Sequence, residues 1–301
     1  MTISRIAVTG ASGLLGTALT ARLKGLGHQV TRVVRSREAA EAPDALYWRP
    51  ERGEIDRAGL AGHGAVVNLA GENIFGLWTP AKKERIRSSR LDGVRLLVEA
   101  IVALPPAERP EALVVASGVG YFGDRPWDEP LTEADPPGDT YLARVLVDME
   151  AAAAVAREAG VRVVMPRFAP VVDPDAFLLQ GIATATRLGL GAALGSGDQP
   201  FPWVTRAEIA DVLAFLLERT ELDGPVNVAA PEKVTNAEFV DAVARVLNRP
   251  RCLRVPAPLV RLAGDFGTEL LVGQWVVPAK LEAAGYEWRD PALEPTLRRM
   301  L

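Results

Sequence analysis

The sequence predicts a doubly wound α/β fold: a parallel sheet with helices on both faces, joined to a smaller, mostly C-terminal α/β unit. Two observations carry this. Short β-branched runs alternate with longer segments whose apolar residues recur at helix spacing, as when strands feed crossover helices. Directly after the first such run comes a glycine-rich turn, Thr9 to Gly16, at the mouth of the first helix. With 301 residues, 49% of them hydrophobic and 24% charged, the chain can bury a large core.

Ile6-Ala7-Val8 reads as the first strand, Gln29 to Val34 as the second, and Ala65 to Leu69, Leu113 to Ala116 and Val161 to Met165 as later ones. Between them, Leu14 to Leu26, Pro80 to Ala103 and Tyr141 to Ala159 carry apolar residues at helical intervals. This strand–helix alternation is a Rossmann-type wind over residues 1–170, completed by about 204–230. After Phe168 the rhythm changes. A glycine-rich stretch from Gly189 to Gly197 precedes a helix over Ala207 to Leu217, a strand over Val226 to Val228, a helix over Asn236 to Leu247 capped by Thr235, and a strand over Cys252 to Val255. Residues 171–203 and 231–301 are thus expected to form the smaller, substrate-binding domain.

Composition narrows the function. Thirty-four Lys and Arg against 38 Asp and Glu leave a net charge of −4, so nothing favours a polyanionic partner such as nucleic acid. One cysteine, Cys252, and two histidines, His28 and His63, are too few for a disulfide or a transition-metal centre. Residues Met1 to Ser4 lead straight into a strand pattern without a signal-like segment, and no apolar run approaches the length of a membrane span. The expectation is a cytoplasmic protein with a small-molecule substrate, as monomer or homodimer.

In Thr9-Gly10-Ala11-Ser12-Gly13-Leu14-Leu15-Gly16, Gly10 permits the tight turn, Gly13 lets a pyrophosphate approach the backbone and Gly16 lets the helix pack on the sheet. The helix N-terminus offers unpaired N–H groups and a favourable dipole to an anion. This is read as a dinucleotide site. An acidic residue at the end of the second strand would select NAD through a ribose hydroxyl, but Arg35-Ser36-Arg37 stands there, which favours the 2′-phosphate of NADP. Asn68-Leu69-Ala70-Gly71 closes a further strand where a ribose would pass.

These residues resemble the extended short-chain dehydrogenase/reductases, in particular the atypical epimerase-family proteins long labelled nucleoside-diphosphate-sugar epimerases. The resemblance spans nearly the whole chain. It rests on Thr9 to Gly16, Asn68 to Ile74, Ser89-Arg90, Ser117 to Asp124, Gly224 to Pro231 and Val234-Thr235-Asn236. It implies an NADP(H)-binding Rossmann domain, with Arg90 at the cofactor or substrate, and a small domain closing over the nicotinamide. In active members a Tyr and a Lys four residues later share one helix face, the ammonium lowering the tyrosine pKa, while a Ser polarises the substrate oxygen. Tyr141 occupies the Tyr position and Ser117 the Ser position, or Gly118 by a shift of one, but Val145 replaces the Lys. The expected function is an NADP(H)-dependent oxidoreductase or epimerase-like activity on a small carbonyl, hydroxyl or sugar-like compound. The alternative is a catalytically weak NADP(H)-binding sensor.

Other residues admit two readings each. Arg144 could lend Tyr141 positive charge or be solvated; Tyr121 could be a substitute acid or a packed ring. Glu133 and Asp135 could border the substrate or cap a loop, and Trp78, Phe201 and Trp203 could wall a pocket or fill the core. Cys252 reads as a buried, inert thiol.

Overall fold

A computed structural model describes residues 4–250 and 253–301, so Cys252 lies outside the described residues. The strands are β1 (Arg5–Thr9), β2 (Gln29–Val34), β3 (Ala45–Arg49), β4 (Glu54–Ile55), β5 (Ala65–Asn68), β6 (Ala112–Val115), β7 (Ser117–Gly118), β8 (Arg162–Phe168), β9 (Val171–Val172), β10 (Ala192–Leu194), β11 (Val204–Thr205), β12 (Gly224–Val228) and β13 (Leu253–Val255). The helices are α1 (Leu14–Gly25), α2 (Arg57–Leu60), α3 (Pro80–Val102), α4 (Tyr141–Ala154), α5 (Phe177–Arg187), α6 (Arg206–Glu218), α7 (Asn236–Val246), α8 (Ala257–Arg261), α9 (Gly264–Glu269), α10 (Ala279–Ala283) and α11 (Leu293–Met300).

The central sheet runs β12-β8-β6-β5-β1-β2-β3-β4, with β7 also on β8, and only the β3–β4 pair is antiparallel. Strand order reverses at β1, which opens a crevice at its C-terminal end, where the glycine turn lies. The two-residue period of the strands sorts the core: Ile6 and Val8 pack with α1 and α6 on one face, Ala7 with α3 and α4 on the other. Both faces are covered, which is why β1, β5 and β6 are runs of apolar residues without polar alternation. A third core joins Val172, Leu179, Trp203, Phe239, Val243, Leu293 and Leu297.

Helix starts follow local chemistry. Thr79, Thr140 and Thr205 each accept a backbone N–H three residues on, and Thr235 with Glu238 forms a capping box. Beyond shifts of a residue or two at element ends, three departures from the sequence reading have a local cause. The helix from Tyr141 is α-helical only to Ala154, and residues 155–159 tighten into a 3₁₀ turn before left-handed Gly160. Strand β8 continues through Pro166 because β6 pairs it only to Val164 and β7 resumes at Arg167, so the missing proline N–H falls in a gap between the two partners. The β3–β4 hairpin, its turn at left-handed Gly53, extends the sheet beyond β2.

Candidate functional site

At the end of β1 the backbone itself forms the cradle. Gly10 has φ +65°, and a Cβ there would lie 2.9 Å from the Leu69 carbonyl carbon. A Cβ on Gly16 would sit 2.1 Å from the Gly10 carbonyl oxygen, so any side chain would push α1 off the sheet. Gly13 caps α1 without a side-chain bond, and Thr17 makes the first helical bond, to the Gly13 carbonyl. The N–H groups of Leu14, Leu15 and Gly16 thus precede any intrahelical partner, and no acidic residue occupies that first turn. Ser12 is exposed at the tip.

The neighbouring strand end is tied to the cradle strand through Thr9. Fully buried Thr9 donates its hydroxyl to Asn68 Oδ1 at 2.6 Å and accepts the N–H groups of Leu69 and Ala70, both at 3.2 Å. Asn68, Leu69 and Ala70 therefore spend these polar groups on tying β5 to β1 and contribute shape to the crevice. Arg90 reaches under Gly71, donating to the carbonyls of Glu72 and Ile86 at 3.1 and 3.2 Å, so it braces the 71–74 turn from beneath. Burial lowers its guanidinium pKa below the ordinary arginine range.

Beyond β2, Arg35 is exposed, Ser36 accepts the N–H of Ala39 at 3.3 Å, and Arg37 pairs with Glu54 at 2.9 Å. These three side chains stand at the rim, next to the cradle strand.

The hydroxyls of Tyr141 and Ser117 each have a partner within the protein. Tyr141 donates its hydroxyl to the Lys83 carbonyl at 2.6 Å, and burial, with Glu84 nearby, pushes its pKa above the usual value, opposite to what an activated tyrosine needs. Ser117 donates to Glu150 Oε1 at 2.6 Å. Glu150 lies nine residues along α4 from Tyr141, about 13 Å at 1.5 Å per residue. Glu150 in turn holds buried Arg167 through two bonds of 2.9 and 2.7 Å, and the Arg167 guanidinium stacks 3.4 Å from the centre of the Tyr121 ring. Ser117 and Tyr121 thus belong to a core network. Val145 is 3% exposed, so an ammonium there would be shielded from water. Arg144 is exposed and bonds the Asp139 carbonyl, away from Tyr141. A cation does flank the tyrosine ring, since Lys83 Nζ lies 5.1 Å from its centre, but Lys83 is paired with Asp265 of α9.

Several other expectations resolve into structure. Glu133 accepts the N–H groups of Asn227 and Lys280, and Asp135 closes a turn on Thr132. Trp203 is fully buried and Phe201 packs on Phe239, whereas Trp78 lines a cluster with Tyr141 and Phe266 at 5.6 and 6.0 Å. Phe75 adds contacts to Phe177 of α5 and Phe266 of α9, so aromatic rings bridge the 72–79 turn to both of these helices. His63, 1% exposed, links the Leu60 carbonyl to Thr31, and burial lowers its pKa.

The sequence reading missed Glu269. It ends α9 packed against Gly120, whose Cβ would lie 3.5 Å from the Glu269 carboxylate. Burial raises its pKa to about 7, against an opposing hydrogen bond from Thr140, with the charge of Asp124 adding to the rise. A six-residue helix far along the chain carries no local signal of this neighbour. Among the described residues no cluster of His, Cys, Asp and Glu could hold a metal, and no helix is long and apolar enough to cross a membrane.

A parallel sheet with a glycine cradle at its switch point defines a dinucleotide-fold protein, and the chain belongs to the NAD dependent epimerase/dehydratase family, whose model matches residues 6–229. Residues 255–300 match a domain of unknown function, DUF1731. The chain is 40% identical over 295 residues to the epimerase family protein MT2273 of Mycobacterium tuberculosis, covering 97% of this chain and 96% of that one. It is 33% identical over 305 residues to the human epimerase family protein SDR39U1, covering 99% of each. The crystal structure of human SDR39U1 (isoform 2) with NADPH superposes with a TM-score of 0.88 at 32% identity over 98% of each chain.

Proposed function

We propose that this protein binds NADP(H) and acts as an oxidoreductase or epimerase-like protein on a small carbonyl, hydroxyl or sugar-like compound. The carrying observation is the cradle: positions 10 and 16 admit no Cβ, and the first-turn N–H groups of α1 are left for an anion. Leu14, Leu15 and Gly16 would hold the pyrophosphate, Thr9, Gly10, Ser12 and Gly13 would shape its seat, and Asn68 to Gly71, braced by Arg90, would flank the riboses. Arg35, Ser36 and Arg37 would receive the 2′-phosphate. The NADPH in the human SDR39U1 structure supports this reading. The bound nicotinamide supplies hydride chemistry, and the protein's part is to orient and exclude water. Residues 171–203 and 231–301 form the substrate side, with the Phe75, Trp78, Phe177 and Phe266 rings as an apolar wall suited to the carbon skeleton of a substrate. We place the protein in the cytoplasm.

A second reading, an NADP(H)-binding protein with little or no turnover, is favoured by buried Val145 and by the internal bonds of the Tyr141 and Ser117 hydroxyls. Fluorescence titration with NADPH and NADH, followed by a carbonyl panel, tests both. Tight NADPH binding lost in Gly16→Val is expected. Unchanged affinity in that variant refutes the cradle, and binding without turnover selects the second reading.

A further inference from the structure

We propose that the β3–β4 hairpin is the cofactor-selecting wall of this protein, with Tyr47 and Glu54 as positioning residues that hold Arg37 ready for an adenosine 2′-phosphate. The inference rests on the NADP(H) reading above.

Pairing of Val34 with Tyr47 sets the tyrosine beside the strand end that leads into Arg35-Ser36-Arg37. The antiparallel return of β4, Arg49 opposite Glu54, brings the carboxylate to the same rim. There the Arg37 guanidinium lies 4.3 Å from the centre of the Tyr47 ring. Its Nη2 donates to Glu54 Oε2 at 2.9 Å, and the Tyr47 hydroxyl donates to that same oxygen at 2.8 Å. The bond from Tyr47, followed by the charges of Arg37 and Arg52, holds the Glu54 carboxyl below its usual pKa, so the clamp is charged at neutral pH.

An arginine side chain that is 75% exposed would otherwise sample many rotamers, and ordering it on ligand binding costs affinity. Here the ring packs against the guanidinium and the carboxylate fixes one nitrogen, while Nε and Nη1 remain for a second anion. Arg35 makes no hydrogen bond or ion pair among the described residues and acts on Glu51 only through its charge. The rim thus holds one clamped and one unengaged guanidinium, a two-point receptor for a phosphate dianion. An NAD ribose, which carries no phosphate there, gains nothing from this clamp, so the hairpin bears on selectivity.

The test is calorimetric affinity for NADPH, NADH and 2′,5′-ADP in the wild type, Arg37→Ala, Glu54→Gln, Tyr47→Phe and the Arg37→Ala/Glu54→Gln pair. Glu54→Gln and Tyr47→Phe should weaken NADPH and 2′,5′-ADP about three- to tenfold and leave NADH within about twofold. Glu54→Gln should add nothing in the Arg37→Ala background. Tighter NADPH binding in Glu54→Gln would show a competing counter-ion and overturn the proposal, as would equal losses for NADPH and NADH or an effect that persists without Arg37. Wild-type protein that binds NADH as tightly as NADPH overturns the NADP(H) reading first, and is recognised before any variant is compared.

Discussion

Replacing Glu269 by Gln should flatten one part of the pH dependence of stability. The carboxyl of this residue moves from 4.5 to about 7 on folding, chiefly through burial. At about 1.4 kcal/mol for each tenfold change in proton affinity, the ceiling is roughly 3.5 kcal/mol. Partial exposure, which lets solvent screen the group, brings the expected effect to about 1–2 kcal/mol. The sign follows from proton uptake: between 4.5 and about 7 the folded protein holds more protons at this site than the unfolded chain. The favourable contribution is therefore complete below the unfolded pKa and is lost as pH rises through about 7. His63 acts oppositely, its lowered pKa adding stability as pH rises through its unfolded range, so the difference between wild type and variant isolates Glu269. Urea unfolding at intervals from pH 5 to 8 should show Glu269→Gln gaining about 1–2 kcal/mol on the wild type across that range. Parallel curves would refute the assignment of Glu269 as a group titrating near neutrality.

Val145→Lys, which recreates a Tyr-x-x-x-Lys spelling, should lower stability by about 3 kcal/mol or more, because an ammonium would enter a site that is 3% exposed. A thermal melt checks this, and a stable variant with raised turnover would contradict the packing described. Glu150→Ala should cost about 3–5 kcal/mol by stranding buried Arg167, whereas Ser117→Ala, losing one hydrogen bond, should cost about 1 kcal/mol in denaturant titrations. Tyr141→Phe should cost about 1 kcal/mol for the lost bond to Lys83 and leave NADPH affinity unchanged, as measured by fluorescence.

Much of the first half was legible from pattern. Strand β2 falls where the β-branched run Gln29 to Val34 put it, and α1 and α3 differ from expectation by a residue at their ends. The helix over Asn236–Val246 with its Thr235 cap was equally plain, because a capping box is a local device. The C-terminal segments were harder to read. Helices α8 to α10 are five or six residues long, too short for a periodic signal, and exist by packing on other elements.

The candidate site divides the same way. The cradle motif was visible because its residues are contiguous: the turn at Gly10 and the helix packing at Gly16 leave no space for a side chain, and Gly13 sits between them at the mouth of α1. What the polar side chains do was decided elsewhere. Residue types at 117 and 141 permit a donor to substrate, yet Glu150 and the Lys83 carbonyl, brought in by α4 and α3, are their partners. Likewise Arg37 meets Tyr47 and Glu54, and Glu269 meets Gly120 from 149 positions away. Backbone geometry is written in neighbouring residues, whereas a hydroxyl or charge binds whichever partner, and whatever degree of burial, the assembled chain sets beside it.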